Sequence, residues 1–206
     1  MLKRWMLALT LPAGLMAALP SSLPSPSAAG VRLQVAASGN EARYRVREQL
    51  AGFDLPNDAV GRSSAVTGVM VLDSAGRVVP ADSRITVDVS GITSDRDRRD
   101  GYVRRRILET DSFPNVILRP TAVSGLPWPL PSSGSRTFTL TGDLTVKGVT
   151  RPTSWQVTAA FGGDTVTGLA ATAFTFADFG LAQPRVPVVL SVGDTIRLEY
   201  DFTLAR

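Results

Sequence analysis

Protein chemistry is mostly carried by histidine, cysteine or converging carboxylates, and this chain of 206 residues contains no His and no Cys. Without His there is no Ser-His-Asp triad, no imidazole metal ligand and no unperturbed side chain titrating near neutrality. Without Cys there are no disulfides, thiol nucleophiles or thiolate metal sites. What remains is Arg99 beside Asp100, which could position a substrate or form a catalytic pair, or simply make an ion pair. An Arg keeps its proton throughout the physiological range, and one carboxylate without a partner is poor acid–base equipment. The favoured reading is therefore an ion pair tying a helix to a neighbouring loop, with a hydrolase built on Asp and Ser as the weakest alternative. Gly142, Gly148, Gly180 and Gly193 precede no helix in a phosphate-loop pattern. Asp143, Asp178 and Asp194 lack the spacing of a calcium loop. They read as turn residues, and no metal site, cofactor or catalytic residue is expected.

The charge balance narrows the partners. The formal net charge of +4 falls to +2 once Lys3 and Arg4 are set aside as part of a leader, and twenty of the bases are Arg. Nucleic-acid binding needs a concentrated basic face. The six Arg between Arg96 and Arg106 are nearly balanced by Asp95, Asp97, Asp100, Glu109 and Asp111, so a solvated helix face is expected. A minor expectation is transient contact of Arg104–Arg106 with anionic lipid, where each base near the surface contributes about 1 kcal/mol.

The elements that must carry these residues begin with an export signal. Lys3 and Arg4 precede an apolar run from Trp5 to Leu19, followed by a Pro/Ser-rich stretch and the small residues Ser27 and Ala29. A membrane span needs about 20 apolar residues, whereas a short h-region with a small-x-small site marks a signal peptide. Residues 1–29 are thus expected to be removed, 30–40 to form a flexible mature N-terminus, and 41–206 to fold as one domain in the periplasm or outside the cell.

From Glu41 onward the polarity alternates with period two, the mark of half-buried strands. Tyr44, Val46, Glu48 and Leu50 share one face; Val66, Met70 and Leu72 follow, then Ile85, Val87 and Val89. The cleanest case is Phe138, Leu140, Leu144 and Val146 against Thr137, Thr139, Thr141, Asp143, Thr145 and Lys147. Ser94–Leu108 breaks the period. Ser94 stands as N-cap, acids crowd the start and Arg104–Arg106 the end, so the spacing predicts one helix. About eight antiparallel strands and one helix make an all-β barrel or sandwich.

The segment Gly142-Asp143-Leu144-Thr145-Val146-Lys147-Gly148-Val149-Thr150-Arg151-Pro152 resembles the hallmark hairpin of the YceI-like family. Arg99-Asp100, Ser112-Phe113-Pro114, Asp178-Phe179-Gly180-Leu181 and Val192-Gly193-Asp194 resemble further family blocks in the same order. The resemblance implies an exported, antiparallel, lipocalin-like β-barrel whose lumen holds an isoprenoid or similar long-chain lipid. Two departures remove polar groups: Gly101-Tyr102 where members often carry His, and Thr175-Phe176-Ala177 where Asn-Arg often stands.

The inward stripe then has two readings. Phe138, Leu140 and Leu144, with Trp155, Val157 and Phe161, could be core or ligand wall. The same holds for Phe174, Phe176, Leu198, Tyr200 and Phe202. Periodicity alone favours core; the resemblance favours a ligand wall. The expectation is a binding or carrier protein, monomeric or homodimeric, with a long-chain isoprenoid-type lipid as its partner. The helix and the Pro-rich loop around Trp128 are expected at the rim. The alternative is a structural or stress-related envelope protein whose barrel is filled by its own side chains.

Overall fold

The computed structural model describes residues 30–52, 55–187 and 189–206; the expected signal peptide lies outside the described residues. Alternating side chains drive the chain into ten antiparallel strands: β1 (Val31–Val35), β2 (Glu41–Leu50), β3 (Asn57–Ser63), β4 (Val66–Leu72), β5 (Arg84–Asp88), β6 (Asn115–Ser124), β7 (Ser133–Val146), β8 (Val149–Gly162), β9 (Thr165–Thr175) and β10 (Val189–Ala205). All belong to one sheet that closes on itself through β1–β10 pairing.

The ring has eight staves rather than ten. Both β1 and β2 lie against β10, with Val35 opposite Leu204 and Asp201 opposite Glu41. On their other side Gln34 meets Val69 of β4 and Ala42 meets Ser63 of β3. Thus β1–β2 is one broken stave and β3–β4 the next, and each subsequent strand pairs with its predecessor. Asn40 fills the first break. Its amide donates to the Ala36 carbonyl at 2.9 Å and its oxygen accepts from Tyr200 at 2.7 Å and from the Thr203 N–H at 3.1 Å. A buried amide so placed is satisfied on both sides.

The structure corrects several expectations. Residues 31–35, expected to be a flexible lead-in, are a strand paired on both edges, with Leu33 and Val35 buried. In addition β3, whose inward positions Ala59 and Gly61 are too small to mark a hydrophobic period, was not anticipated. The helix is also shorter at its start: α1 (Asp97–Tyr102) begins after Arg96, whose side chain makes no capping bond, and continues into wider π turns over Val103–Leu108. Ser94 does not cap it; the Ser94 hydroxyl donates to the Asp100 carboxylate at 2.5 Å.

The connection holding this helix follows β5, so the helix lies across one end of the barrel. It is tied at the far side by Lys147, whose ammonium meets Glu109 at 2.6 Å beside the β7–β8 turn. The β2–β3 turn and residues 180–187 share that end. The Trp128 loop belongs to the opposite end, contrary to the expectation of a shared rim. There the indole of Trp128 donates to the Ser74 carbonyl at 3.0 Å with its ring over Gly76, and Arg206 donates to the Pro131 carbonyl at 2.5 Å.

Two aromatic rings lie flat on the wall because glycine stands opposite them. Tyr44 pairs with Gly61, and Phe202 with Gly168. A Cβ on Gly168 would meet the Thr158 carbonyl oxygen at 2.2 Å and the Phe202 ring at 2.7 Å. Gly168→Ala is therefore expected to lower the thermal midpoint by roughly 3–10 °C, from an overpacking cost of about 1–3 kcal/mol in a domain of this size. Circular dichroism melts of the variant and of Thr167→Ala, its exposed neighbour, provide the comparison.

Candidate functional site

The barrel encloses a cavity of about 860 Å³. That volume is within the range of small-molecule sites, about 300–1,000 Å³. On β7 alone the lining runs from Phe138 to Val146, which at ~3.3 Å per residue and a strand tilt of roughly 40° is about 20 Å along the axis. Leu126 and Leu130 extend the lining at the Trp128 end, and Tyr102, Pro184 and Val186 extend it at the helix end.

All eleven residues expected to face inward line this cavity: Phe138, Leu140, Leu144, Trp155, Val157, Phe161, Phe174, Phe176, Leu198, Tyr200 and Phe202. Phe176 does so from just past β9, at the start of a short 3-10 turn. The lumen is not filled by these side chains, so the filled-barrel alternative does not describe it. Sequence reasoning left out Leu33, Met70 and Ile85 of the early staves as wall residues, and Ile107 and Leu108 of the helix. The alternation of Met70 and Ile85 was the available signal; Leu33 stood in a segment too short to show one.

The wall is apolar because its polar handles are used sideways, within the wall. The Trp155 indole donates to Thr153 Oγ1 at 2.9 Å, and that hydroxyl donates to the Gly142 carbonyl at 3.0 Å. The Tyr200 hydroxyl is spent on Asn40, and burial pushes its pKa up. Along most of its length the lumen therefore presents aromatic rings and aliphatic side chains.

Polarity gathers at the helix end. Arg99 Nη2 donates to Glu48 Oε1 at 2.5 Å, and its other terminal nitrogen pairs with Asp95. Both Arg99 and Glu48 have side chains that are about nine-tenths buried, at 12% and 8% exposed. Burial opposes the Arg99 charge, but the Glu48 and Asp95 carboxylates outweigh it and hold its pKa above the ordinary value. Arg99 thus ties the helix to β2 as well as to the preceding loop. Asp100 is not its partner and bonds to Ser94 instead. Nearby, burial pushes the Tyr44 hydroxyl up to about 12, with Arg99 pulling the other way. The two sequence departures lie here as well. Tyr102 and Phe176 line the cavity, and the Arg105 guanidinium covers Gly101 where a Cβ would meet it at 2.8 Å.

The cavity opens at this end. Among its lining residues the exposed ones are Ala51, Arg96, Asp97 and Arg98, all beside the helix. At the other end Leu126 and Leu130 are only half-buried, yet their loop is held down by the Trp128 and Arg206 bonds.

Comparison with known proteins agrees with this geometry. The family model described as YceI-like domain matches residues 34–204. UPF0312 proteins of Pseudomonas putida strains GB-1 and W619 are 30% identical over 114 residues, which is 51% of this chain and 56% of theirs. The chain is thus matched over about half the length of these curated relatives. Among solved structures, a polyisoprenoid binding domain from Saccharophagus degradans, implicated in plant cell wall breakdown, superposes with a TM-score of 0.61 at 10% identity, covering 84% of this chain and 97% of that one. BcnA of Burkholderia cenocepacia gives 0.59 at 16% identity, over 82% and 98%. A YceI protein of Campylobacter jejuni gives 0.56 at 15%, over 77% and 90%. At such identities these likenesses establish the shared fold.

Two predictions follow from the polar mouth. Removing one member of a buried pair leaves an uncompensated charge, whereas replacing both removes the need for pairing. Arg99→Met is expected to destabilise by about 2–4 kcal/mol, and the double variant Glu48→Leu/Arg99→Met by clearly less. Urea unfolding of the two singles and the double measures this coupling. The second concerns pH. Burial works against the charged forms of Asp95, which is still largely exposed, and of Glu199, yet Arg99 and the Arg45/Arg43 pair hold their carboxyls below the usual range. Bonds from Ser90 and Thr175 do the same for Asp88 and Asp178. A depressed folded pKa contributes stability that is present above the unfolded pKa and lost as pH falls through the folded one. With no His and Tyr44 displaced upward, the melting temperature should stay nearly flat from about pH 5.5 to 8.5 and fall below about pH 4. A midpoint that moves steeply near pH 6.5 would contradict this.

Proposed function

The chain belongs to the YceI-like domain family, and from that premise we propose that it is an exported carrier that shelters a long-chain isoprenoid-type lipid in its lumen. The observation that carries the reading is the continuous, unfilled apolar cavity, open beside the helix and blocked at the Trp128 end. A cavity lined by hydrocarbon stays dry and accepts apolar guests. Each methylene that moves from water into it contributes about 0.8 kcal/mol, so ten such groups give a gross ~8 kcal/mol. Several kcal/mol of that is lost to immobilising the chain. The eleven wall residues named above act together as a hydrocarbon surface rather than as individual contacts. A polar head would stay near Tyr44, Glu48 and Arg99, where water still reaches the mouth. The step is partition, and no bond is made or broken, which suits a chain without His or Cys. The apolar run of Trp5–Leu19 with its basic start supports export.

Organic extraction of the purified protein followed by mass spectrometry tests the reading. A lipid with a long unsaturated chain at near-equimolar amount is expected. Val157→Trp, which adds bulk to the centre of the lumen, should cut the bound lipid at least severalfold while circular dichroism shows the sheet retained. Lipid recovered at equal amount from this variant, or repeated lipid-free preparations that also refuse a fluorescent fatty-chain probe, would refute the carrier.

A further inference from the structure

The helix end differs from the rest of the surface in two independent ways. Of the four large hydrophobic side chains exposed among the described residues, Leu55 (77%), Leu190 (66%) and Phe113 (36%) are found there. Leu55 sits in the β2–β3 turn and Leu190 at the start of β10, where Val189 pairs with Leu50 at the end of β2. Phe113 packs over Gly148 of the β7–β8 turn. The second feature is charge. Arg98, Arg105, Arg106 and Arg185 are exposed at the same end, and no carboxylate within salt-bridge distance is found for them among the described residues. Within residues 95–111, Asp95 and Glu109 are already held by Arg99 and Lys147 and Asp100 by Ser94, which leaves Asp97 and Asp111 beside Arg98, Arg105 and Arg106, while Asp88 and Asp178 at the same end are held by Ser90 and Thr175.

We propose that this mouth docks on an anionic lipid bilayer, with Leu55 and Leu190 entering the interface and the four Arg side chains over headgroup phosphates. The inference rests on the carrier reading and adds where the cargo is exchanged. Apolar side chains rimmed by bases are the pattern that lies in a headgroup boundary, and Arg engages phosphate in a bidentate manner. Continuity with the cavity argues for a bilayer as the occupant: the exposed wall residues Ala51, Arg96, Asp97 and Arg98 are at the same rim, so a chain could pass from membrane to lumen without crossing water. A second copy of the chain would set Arg against Arg, which like-charge repulsion disfavours.

The test is flotation with phosphatidylcholine vesicles, with and without phosphatidylglycerol, using protein as the cell processes it. Lumen occupancy is read separately by a fluorescent fatty-chain probe. Wild type should float with anionic vesicles and lose about tenfold in partition with neutral vesicles or in high salt. Leu55→Ser/Leu190→Ser and Arg105→Ser/Arg106→Ser should each lose about as much, with probe binding unchanged, while Arg136→Ser at the other end behaves as wild type. Wild type that takes the probe but ignores anionic vesicles overturns the docking and leaves the carrier standing. Variants that float as wild type overturn this surface. Self-association without vesicles that depends on Leu55 and Leu190 assigns the face to a second copy and also overturns the proposal. Refusal of the probe by wild type removes the carrier premise itself.

Discussion

A hollow hydrocarbon interior is held open against its own tendency to close, and the rest of the structure follows from that constraint. Side chains that line a void lack dispersion partners on one side, and cores ordinarily fill. Here the wall removes the opportunity. Tyr44 and Phe202 lie down on Gly61 and Gly168 instead of reaching across the axis. Trp155 and Tyr200 have their polar atoms bound within the sheet, which fixes ring orientation as well as satisfying the donors. The bulk needed to fill an eight-stave barrel is present, but it is laid along the circumference.

The same economy explains the broken staves. A stave that pairs with β10 from Gln34 to Leu50 without interruption would have to follow one neighbour along its whole length. The break at residues 36–40 lets β1 turn to β4 while β2 keeps β3. Breaking a ladder exposes backbone groups that need partners. Asn40 supplies several of them from a single side chain, and it does so facing Tyr200, a wall residue. Closure of the ring and the surface of the lumen are therefore coupled through one amide.

Much of this is legible in the amino-acid order, and the limits have physical causes. Period-two alternation is a local property, so β7 and β8, with long regular stripes, can be read directly, and every aromatic on them faces the lumen as expected. Small inward residues hide β3, because Ala59 and Gly61 signal nothing by hydropathy although Gly61 is where Tyr44 must lie. Burial of a charged residue is equally silent. Glu48 alternates in phase with Tyr44 and Val46, so its inward orientation is predictable, yet its partner Arg99 is 51 positions away and is fixed only by closure. Asp100, the adjacent acid, was the natural partner by proximity and is turned instead towards Ser94. The loop around Trp128 and the helix are joined by no local signal at all, and the strand order alone assigns them to opposite ends.

That separation gives the barrel a direction. One end is fastened by main-chain carbonyls of Ser74 and Pro131 accepting from Trp128 and Arg206, contacts that neither salt nor pH easily disturbs. The other is fastened by ion pairs, Arg99 with Glu48 and Asp95 and Lys147 with Glu109, which hold the helix at both sides of the opening. Of these, Glu48 is screened from water and Asp95 and Glu109 are not, so the attachment to Glu48 should persist when solvent weakens the others. An apolar pair could hold the helix against β2 as tightly, so what the buried Arg99–Glu48 pair adds is not stability but a charged group set beside the opening of an otherwise apolar lumen.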